Sequence, residues 1–97
     1  MIRVSALYPV TEGATFDHEY YRTSHVPMCC ERWGLASAQV DSRINGPYVA
    51  AAHFIFDSVD DMKAALASEA MKEITADVAN YTTISAVIQI SDVTVVP

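Results

Sequence analysis

The sequence predicts an α+β domain with the element order β-α-β-β-α-β, in which a four-stranded antiparallel sheet carries two helices on one face. Three observations lead there. Runs with the strand period of two open and close the chain, at Ile2–Pro9 and at residues 86–96. Two more strand-like runs, residues 35–44 and Tyr48–Phe56, flank the turn cluster Asn45-Gly46-Pro47 as a hairpin would. The remaining two segments repeat their apolar residues at three and four positions, the helical period. With 97 residues, one domain spanning residues 1–97 is expected.

In Ile2–Pro9, Ile2, Val4, Ala6 and Tyr8 alternate with Arg3, Ser5 and Leu7, so the two sets occupy opposite faces. Residues 11–15 hold Gly13 and two threonines and read as a loop. Thr15 or Asp17 can then cap the free amides of a first helical turn. Tyr21, His25, Met28, Cys29 and Arg32 follow on one helical face. Pro27 lacks an amide hydrogen and disfavours helical geometry at Val26, which predicts a kink or restart near His25. Gly34 ends the segment.

The second strand is weak, with Ala36, Ala38 and Val40 on one side, whereas Tyr48–Phe56 is apolar on both faces apart from His53. Ser58 with Asp61 three residues later resembles a capping box, opening a helix that buries Val59, Met62 and Leu66. The period breaks at Ser68 and Glu69 and resumes with Met71, Ile74 and Val78.

This element order is the split β-α-β plan of ferredoxin-like folds. Right-handed crossovers put both helices on one face of the sheet and leave the other bare. The third strand offers Tyr48, Ala50, Ala52, Phe54 and Phe56 on one side, with Val49, Ala51 and Ile55 on the other. The last strand sets Ile88 and Ile90 against Val87, Val93 and Val95. Neither side is polar enough to face water as a whole, so a second copy packed sheet on sheet is expected, a homodimer of the dimeric α+β-barrel kind.

Composition excludes several classes. Hydrophobic residues make up 52% and charged ones 19%, which excludes a disordered or fibrous chain. The net charge is −6 and the six basic residues are scattered, which argues against a nucleic-acid partner. No apolar run approaches the ~20 residues of a membrane helix, so no membrane partner is expected. Residues 1–10 are too short and too broken by Arg3 and Pro9 for a secretory leader. Cys29 and Cys30 are adjacent, and a disulfide between neighbours is strained, so both read as reduced thiols in a cytoplasmic protein.

The letters of the first helix add a likeness to this pattern. Tyr8-Pro9, then Phe16-Asp17-His18-Glu19-Tyr20-Tyr21, then His25-Val26-Pro27-Met28 resembles the EthD family, with Met28 in place of the usual Leu. Phe56-Asp57-Ser58, Asp77-Val78 and Asn80-Tyr81-Thr82 resemble later landmarks of that family, Tyr81 replacing its usual Phe. Named from a gene cluster for degrading ethyl tert-butyl ether, these proteins are often labelled reductases. The resemblance implies a dimeric α+β barrel with a pocket between helices and sheet. Relatives by fold include muconolactone isomerase, cofactor-free quinone-forming monooxygenases and polyketide cyclases.

His25 is the leading catalytic candidate, because imidazole titrates near neutrality and the Pro27 kink can turn it toward the sheet. The alternative is that it satisfies backbone groups freed at the kink. Tyr21, one turn earlier on the same face, can donate to a substrate oxygen or simply pack in the core. Candidate substrate-binding residues are Tyr8, Tyr20, Met28, His53 and Tyr81. Asp17 reads as a cap and Cys29 as a buried thiol. His53, interrupting an apolar strand, needs a partner or a cavity; with Phe54 and Phe56 under the helices it would face the partner subunit.

His18, His25 and His53 lack metal-ligand spacing, and Gly13, Gly34 and Gly46 are isolated, so neither a metal nor a Rossmann-type cofactor site is expected. No haem-ligand motif is present. The expected protein handles a small apolar aromatic or ketonic compound, by cofactor-free acid–base chemistry of the isomerase, cyclase or monooxygenase kind, or beside an oxidoreductase. The alternatives are a non-catalytic carrier or scavenger of a hydrophobic metabolite and a purely structural dimer.

Overall fold

A computed structural model describes residues 1–97. In chain order the elements are β1 (Ile2–Pro9), α1 (His18–Tyr20), a π turn (Tyr21–His25), α2 (Val26–Trp33), β2 (Gln39–Ser42), β3 (Tyr48–Phe56), α3 (Val59–Leu66), α4 (Ala70–Asp77), a 3₁₀ turn (Val78–Asn80) and β4 (Val87–Asp92). The strands with the clearest sequence signal, β1 and β3, pair at the centre of the sheet. The strand order is β2-β3-β1-β4, antiparallel throughout, which is the ferredoxin-like arrangement.

Register decides which side chains meet the helices. Ile2 opposes Phe56, Val4 opposes Phe54, Ala6 opposes Ala52 and Tyr8 opposes Ala50. These residues form the helix-side face, where they join Tyr21, Val26, Cys29, Met62, Ile74 and Tyr81 in one core. Each large apolar side chain buried there contributes about 1.5–3 kcal/mol against the entropy of ordering the chain. Arg3, Ser5 and Leu7, opposite Ile55, His53 and Ala51, lie on the far face. That face is less oily than expected, because Gln39, His53, Ser5 and Gln89 form a polar row across all four strands. Of the exposed apolar residues of β4, Ile88 and Ile90 are on the helix side at the sheet edge and Val87 is on the far face.

The helical caps follow the sequence. The Asp17 side chain accepts from the Tyr20 amide, Ser58 accepts from the Asp61 amide, and Gly34 closes α2 at φ 70°. The expected restart at His25 is a π turn, in which the Val26 amide reaches Tyr21 O, and Pro27 lies in the first turn of α2 where its missing donor costs nothing. The expected break at Ser68 and Glu69 separates α3 from α4.

Four expectations need correction. Val59, expected to turn inward with Met62 and Leu66, is exposed at the first residue of α3. The second strand begins at Gln39 rather than residue 35, because the Leu35 amide closes α2 on Cys30 O at 2.9 Å and is unavailable to a ladder. The last strand ends at Asp92, the partner of Ile2 at the start of β1, and beyond that pair the Val93 amide bonds Met1 O at 2.9 Å. Arg32 points outward, where its Nε and Nη2 donate to the Glu73 carboxylate at 3.1 and 3.2 Å and tie α2 to α4. No helix is long and apolar enough to cross a membrane.

Candidate functional site

Between the helices and the sheet lies a cavity of about 470 Å³, lined by 15 residues of which 13 are hydrophobic. β1 supplies Val4, Ala6 and Tyr8, and the helical segment supplies Tyr21, His25, Cys29 and Trp33. The latter four recur every four residues, so one strip of that segment forms a wall. Leu66, Met71 and Ile74 close the side of α3 and α4.

The polar groups gather at one end. His25 Nδ1 and Asp77 Oδ2 are 2.8 Å apart. Asp77 Oδ1 accepts from Tyr20 Oη at 2.7 Å and from Asn80 Nδ2 at 2.9 Å, so both carboxylate oxygens are engaged. Burial pushes the Asp77 carboxyl up, but hydrogen bonds from Tyr20, Asn80 and His25 outweigh it and hold the group below its ordinary 3.8. Asp77 is therefore a carboxylate and can only accept, which places the hydrogen of neutral His25 on Nδ1 and leaves a lone pair on Nε2.

His25 is 5% exposed, and burial pushes its imidazole below the ordinary 6.5 against the pull of Asp77. The ring is neutral at pH 7. Its Nε2 has no partner in the protein and is not sealed from solvent, on a side chain that lines the cavity. An accessible imidazole nitrogen oriented by a carboxylate behind it is the arrangement of a general base.

Tyrosines surround this pair. Tyr21 stacks on His25 with ring centroids 5.6 Å apart and planes 13° from parallel, while Tyr81 approaches His25 from another side at 4.6 Å. Tyr8 and Tyr81 share a buried hydrogen bond of 2.6 Å between their hydroxyls. The segment before α1 fixes this group, because the Asp17 amide donates to Tyr81 O at 2.9 Å and Thr82 Oγ1 donates to Thr15 O at 2.8 Å. Burial is the main cause that raises the phenols of Tyr8, Tyr21 and Tyr81 above the ordinary 10.0, so all three remain protonated donors at neutral pH. Burial likewise pushes the Cys29 thiol up to about 12, which rules out an activated thiolate beside His25.

Of the residues singled out from the sequence, Tyr8, Tyr21 and His25 meet at the cavity. Tyr20 and Tyr81 stand behind them, one bonded to Asp77 and the other to Tyr8. Met28 packs against the core without lining the cavity, because a turn of helix carries it sideways from the His25–Cys29 strip. His53 is corrected as a substrate-binding candidate: strand parity puts it on the far face, where Nδ1 is 2.7 Å from Ser5 Oγ and Nε2 is 2.9 Å from Asp41 Oδ2. Sequence reasoning missed Asp77 and Asn80 as site residues. Their spacing of three at a helix end is common on solvated surfaces and carries no mark of a partner 52 residues away.

The fold and site define an α+β protein of the ferredoxin-like class with a buried histidine paired to a half-buried carboxylate at an apolar cavity. No family model and no curated protein matches the sequence. Among solved structures, an EthD-like protein from Ralstonia eutropha JMP134 is 43% identical, with a TM-score of 0.89 over 97% of this chain and 92% of that one. An ethyl tert-butyl ether degradation (EthD) family protein from Bacillus halodurans C-125 is 18% identical, with a TM-score of 0.76 over 97% and 99%. A dimeric protein of unknown function and ferredoxin-like fold from Bacteroides fragilis NCTC 9343 is 12% identical, with a TM-score of 0.63 over 95% of each chain. The chain belongs to the EthD-like family.

Proposed function

We propose that this protein binds a small apolar molecule bearing a carbonyl in the cavity beside His25 and moves a proton at it without an organic cofactor. The observation that carries this reading is the free Nε2 of a neutral, carboxylate-oriented imidazole on an otherwise apolar wall. In the step envisaged, Nε2 takes a proton from the carbon next to the carbonyl. The C–H electron pair moves into the C–C bond, and the carbonyl oxygen gains negative charge. Tyr21 Oη, kept protonated by burial and set beside the Tyr8 hydroxyl, turns from it to donate a hydrogen bond to that oxygen. Reprotonation at another atom would make the protein an isomerase; attack of the enolate carbon on a second carbonyl of the same molecule, whose oxygen then takes the proton, would make it a cyclase. The active form is a homodimer covering the far sheet face; the dimeric description of the Bacteroides fragilis protein supports this reading.

Acetophenone deuterated at its methyl group tests the chemistry. Wild-type protein is expected to speed loss of deuterium to water, followed by NMR, with His25→Ala abolishing the effect and Tyr21→Phe lowering it about 10- to 100-fold. Binding of acetophenone, seen as shifts of cavity resonances, with exchange no faster than in buffer would overturn the catalytic reading in favour of a carrier. Absence of binding would end both.

A further inference from the structure

The far face of the sheet carries one cation and one anion within its four strands, and the register sets them symmetrically about a third group. Arg3 on β1 has its Nε buried with no partner in the protein. Asp41 on β2 holds His53 with one carboxylate oxygen, and its side chain is 63% exposed. Arg43, just past β2, is turned onto the Gly46 carbonyl at 3.3 Å. The other far-face positions of β1, β3 and β4 are uncharged: Ser5 and Leu7, then Val49, Ala51 and Ile55 beside His53, then Val87, Gln89 and Ser91.

In the pairing, Ser5 and Gln39 flank His53 on its two sides. Arg3 lies two residues from Ser5, in the row of Ile55, and Asp41 lies two residues from Gln39, in the row of Ala51. These displacements from His53 are equal and opposite, so His53 marks the midpoint between the two charges. In an isologous contact, residue i meets residue j of the second copy and j meets i. A two-fold axis between facing sheets that brings Arg3 over the partner's Asp41 therefore passes over His53.

We propose that two copies of this chain join through this face in that one register, with Arg3 of each against the partner's Asp41 and the two His53 side chains meeting at the axis. Leu7, Val49, Ile55 and Val87 supply the apolar contact around the pair. Covering a guanidinium that has no acceptor is costly, so registers that leave Arg3 unpaired are disfavoured, and Asp41 is the acidic side chain that the face offers. The proposal rests on the homodimer reading above and adds its geometry.

Charge reversal tests it. Arg3→Asp and Asp41→Arg each place like charges at both contacts of their own homodimer, whereas an equimolar mixture places opposite charges at both. Sedimentation and native mass spectrometry are expected to show a wild-type dimer, about tenfold or greater weakening of self-association in each variant, and recovery as a heterodimer on mixing. A monomeric wild type would end the homodimer reading and this register with it. A wild-type dimer whose variants self-associate as tightly as it does, or whose mixture shows no preference for mixed pairs, would overturn the register alone. Circular dichroism checks each fold. If a reversal unfolds the chain, Arg3→Gln and Asp41→Asn take its place, with weakening expected in each and partial recovery on mixing, because the mixed pair regains one of the two Arg3–Asp41 contacts; unchanged association in both would overturn the register.

Discussion

His25 Nδ1 and Asp77 Oδ2 lie 2.8 Å apart, joining a π turn before α2 to the last residue of α4 across 52 positions of sequence. The contact fixes the tautomer of the imidazole and the use of its other nitrogen. Tyr20 and Asn80 in turn hold the carboxylate, so the orientation of one ring depends on three residues that do not line the cavity.

Replacing Asp77 by Ala is expected to free the His25 tautomer and leave the hydroxyl of Tyr20 without its acceptor. Nitrogen NMR of the imidazole should show loss of the pure Nδ1–H form, and stability should fall by about 1–3 kcal/mol. Deuterium exchange from acetophenone, if present in wild type, should drop about 100-fold. An unchanged tautomer in the variant would mean that Asp77 does not orient the ring.

Acid should weaken the fold through the same pair. His25 has its folded pKa below the ordinary 6.5, so the unfolded chain binds the proton more tightly. Stability from this group is present above 6.5 and falls as pH drops from there through the folded value. Asp77, held below 3.8, adds a second loss at lower pH. Denaturant midpoints measured from about pH 7 to about pH 5 should decline in wild type and decline less in His25→Gln. Parallel curves for the two proteins would contradict the depressed pKa.

Tyr8→Phe and Tyr81→Phe each remove the same 2.6 Å hydrogen bond and strand a buried hydroxyl, at a cost of about 1–2 kcal/mol apiece. The double substitution removes both groups and should cost less than the sum. At high pH the three raised phenols favour the folded state below 10.0, and that stability is lost as pH rises through their folded values. Their tyrosinate absorbance should therefore appear together with unfolding; ionisation at 10.0 in the folded protein would refute this.

Cys29 is 1% exposed with its thiol at about 12, whereas neighbouring Cys30 is half-buried. A thiol reagent should label Cys30 first and reach Cys29 at the rate of unfolding. Equal labelling of both under native conditions would mean that the cavity wall opens freely.

The strand alternation of Ile2–Pro9 and Tyr48–Phe56, the Ser58 and Gly34 caps and the Pro27 restart all rest on local chemistry, and each was legible in the letters. The same letters placed His25 and Tyr21 one turn apart on a helical face. They also posed the question of His53, because parity splits β3 into two faces without saying which one the helices cover. The strand ends were misread, since a ladder ends where its neighbour ends, and Met1 and Ile2 are remote in sequence from Val93.

By itself, then, the sequence determined what depends on near neighbours: the element order, the caps, the interruption before α2 and the two sets of residues on each strand. Only the tertiary structure decided that Asp77 stands behind His25, that Tyr8 and Tyr81 share a hydrogen bond, and that His53 faces away from the cavity between Ser5 and Asp41. Periodicity records which side chains share a face of one element. Which faces meet depends on sheet register and on how the helices cross it, and those are set by packing across the whole chain.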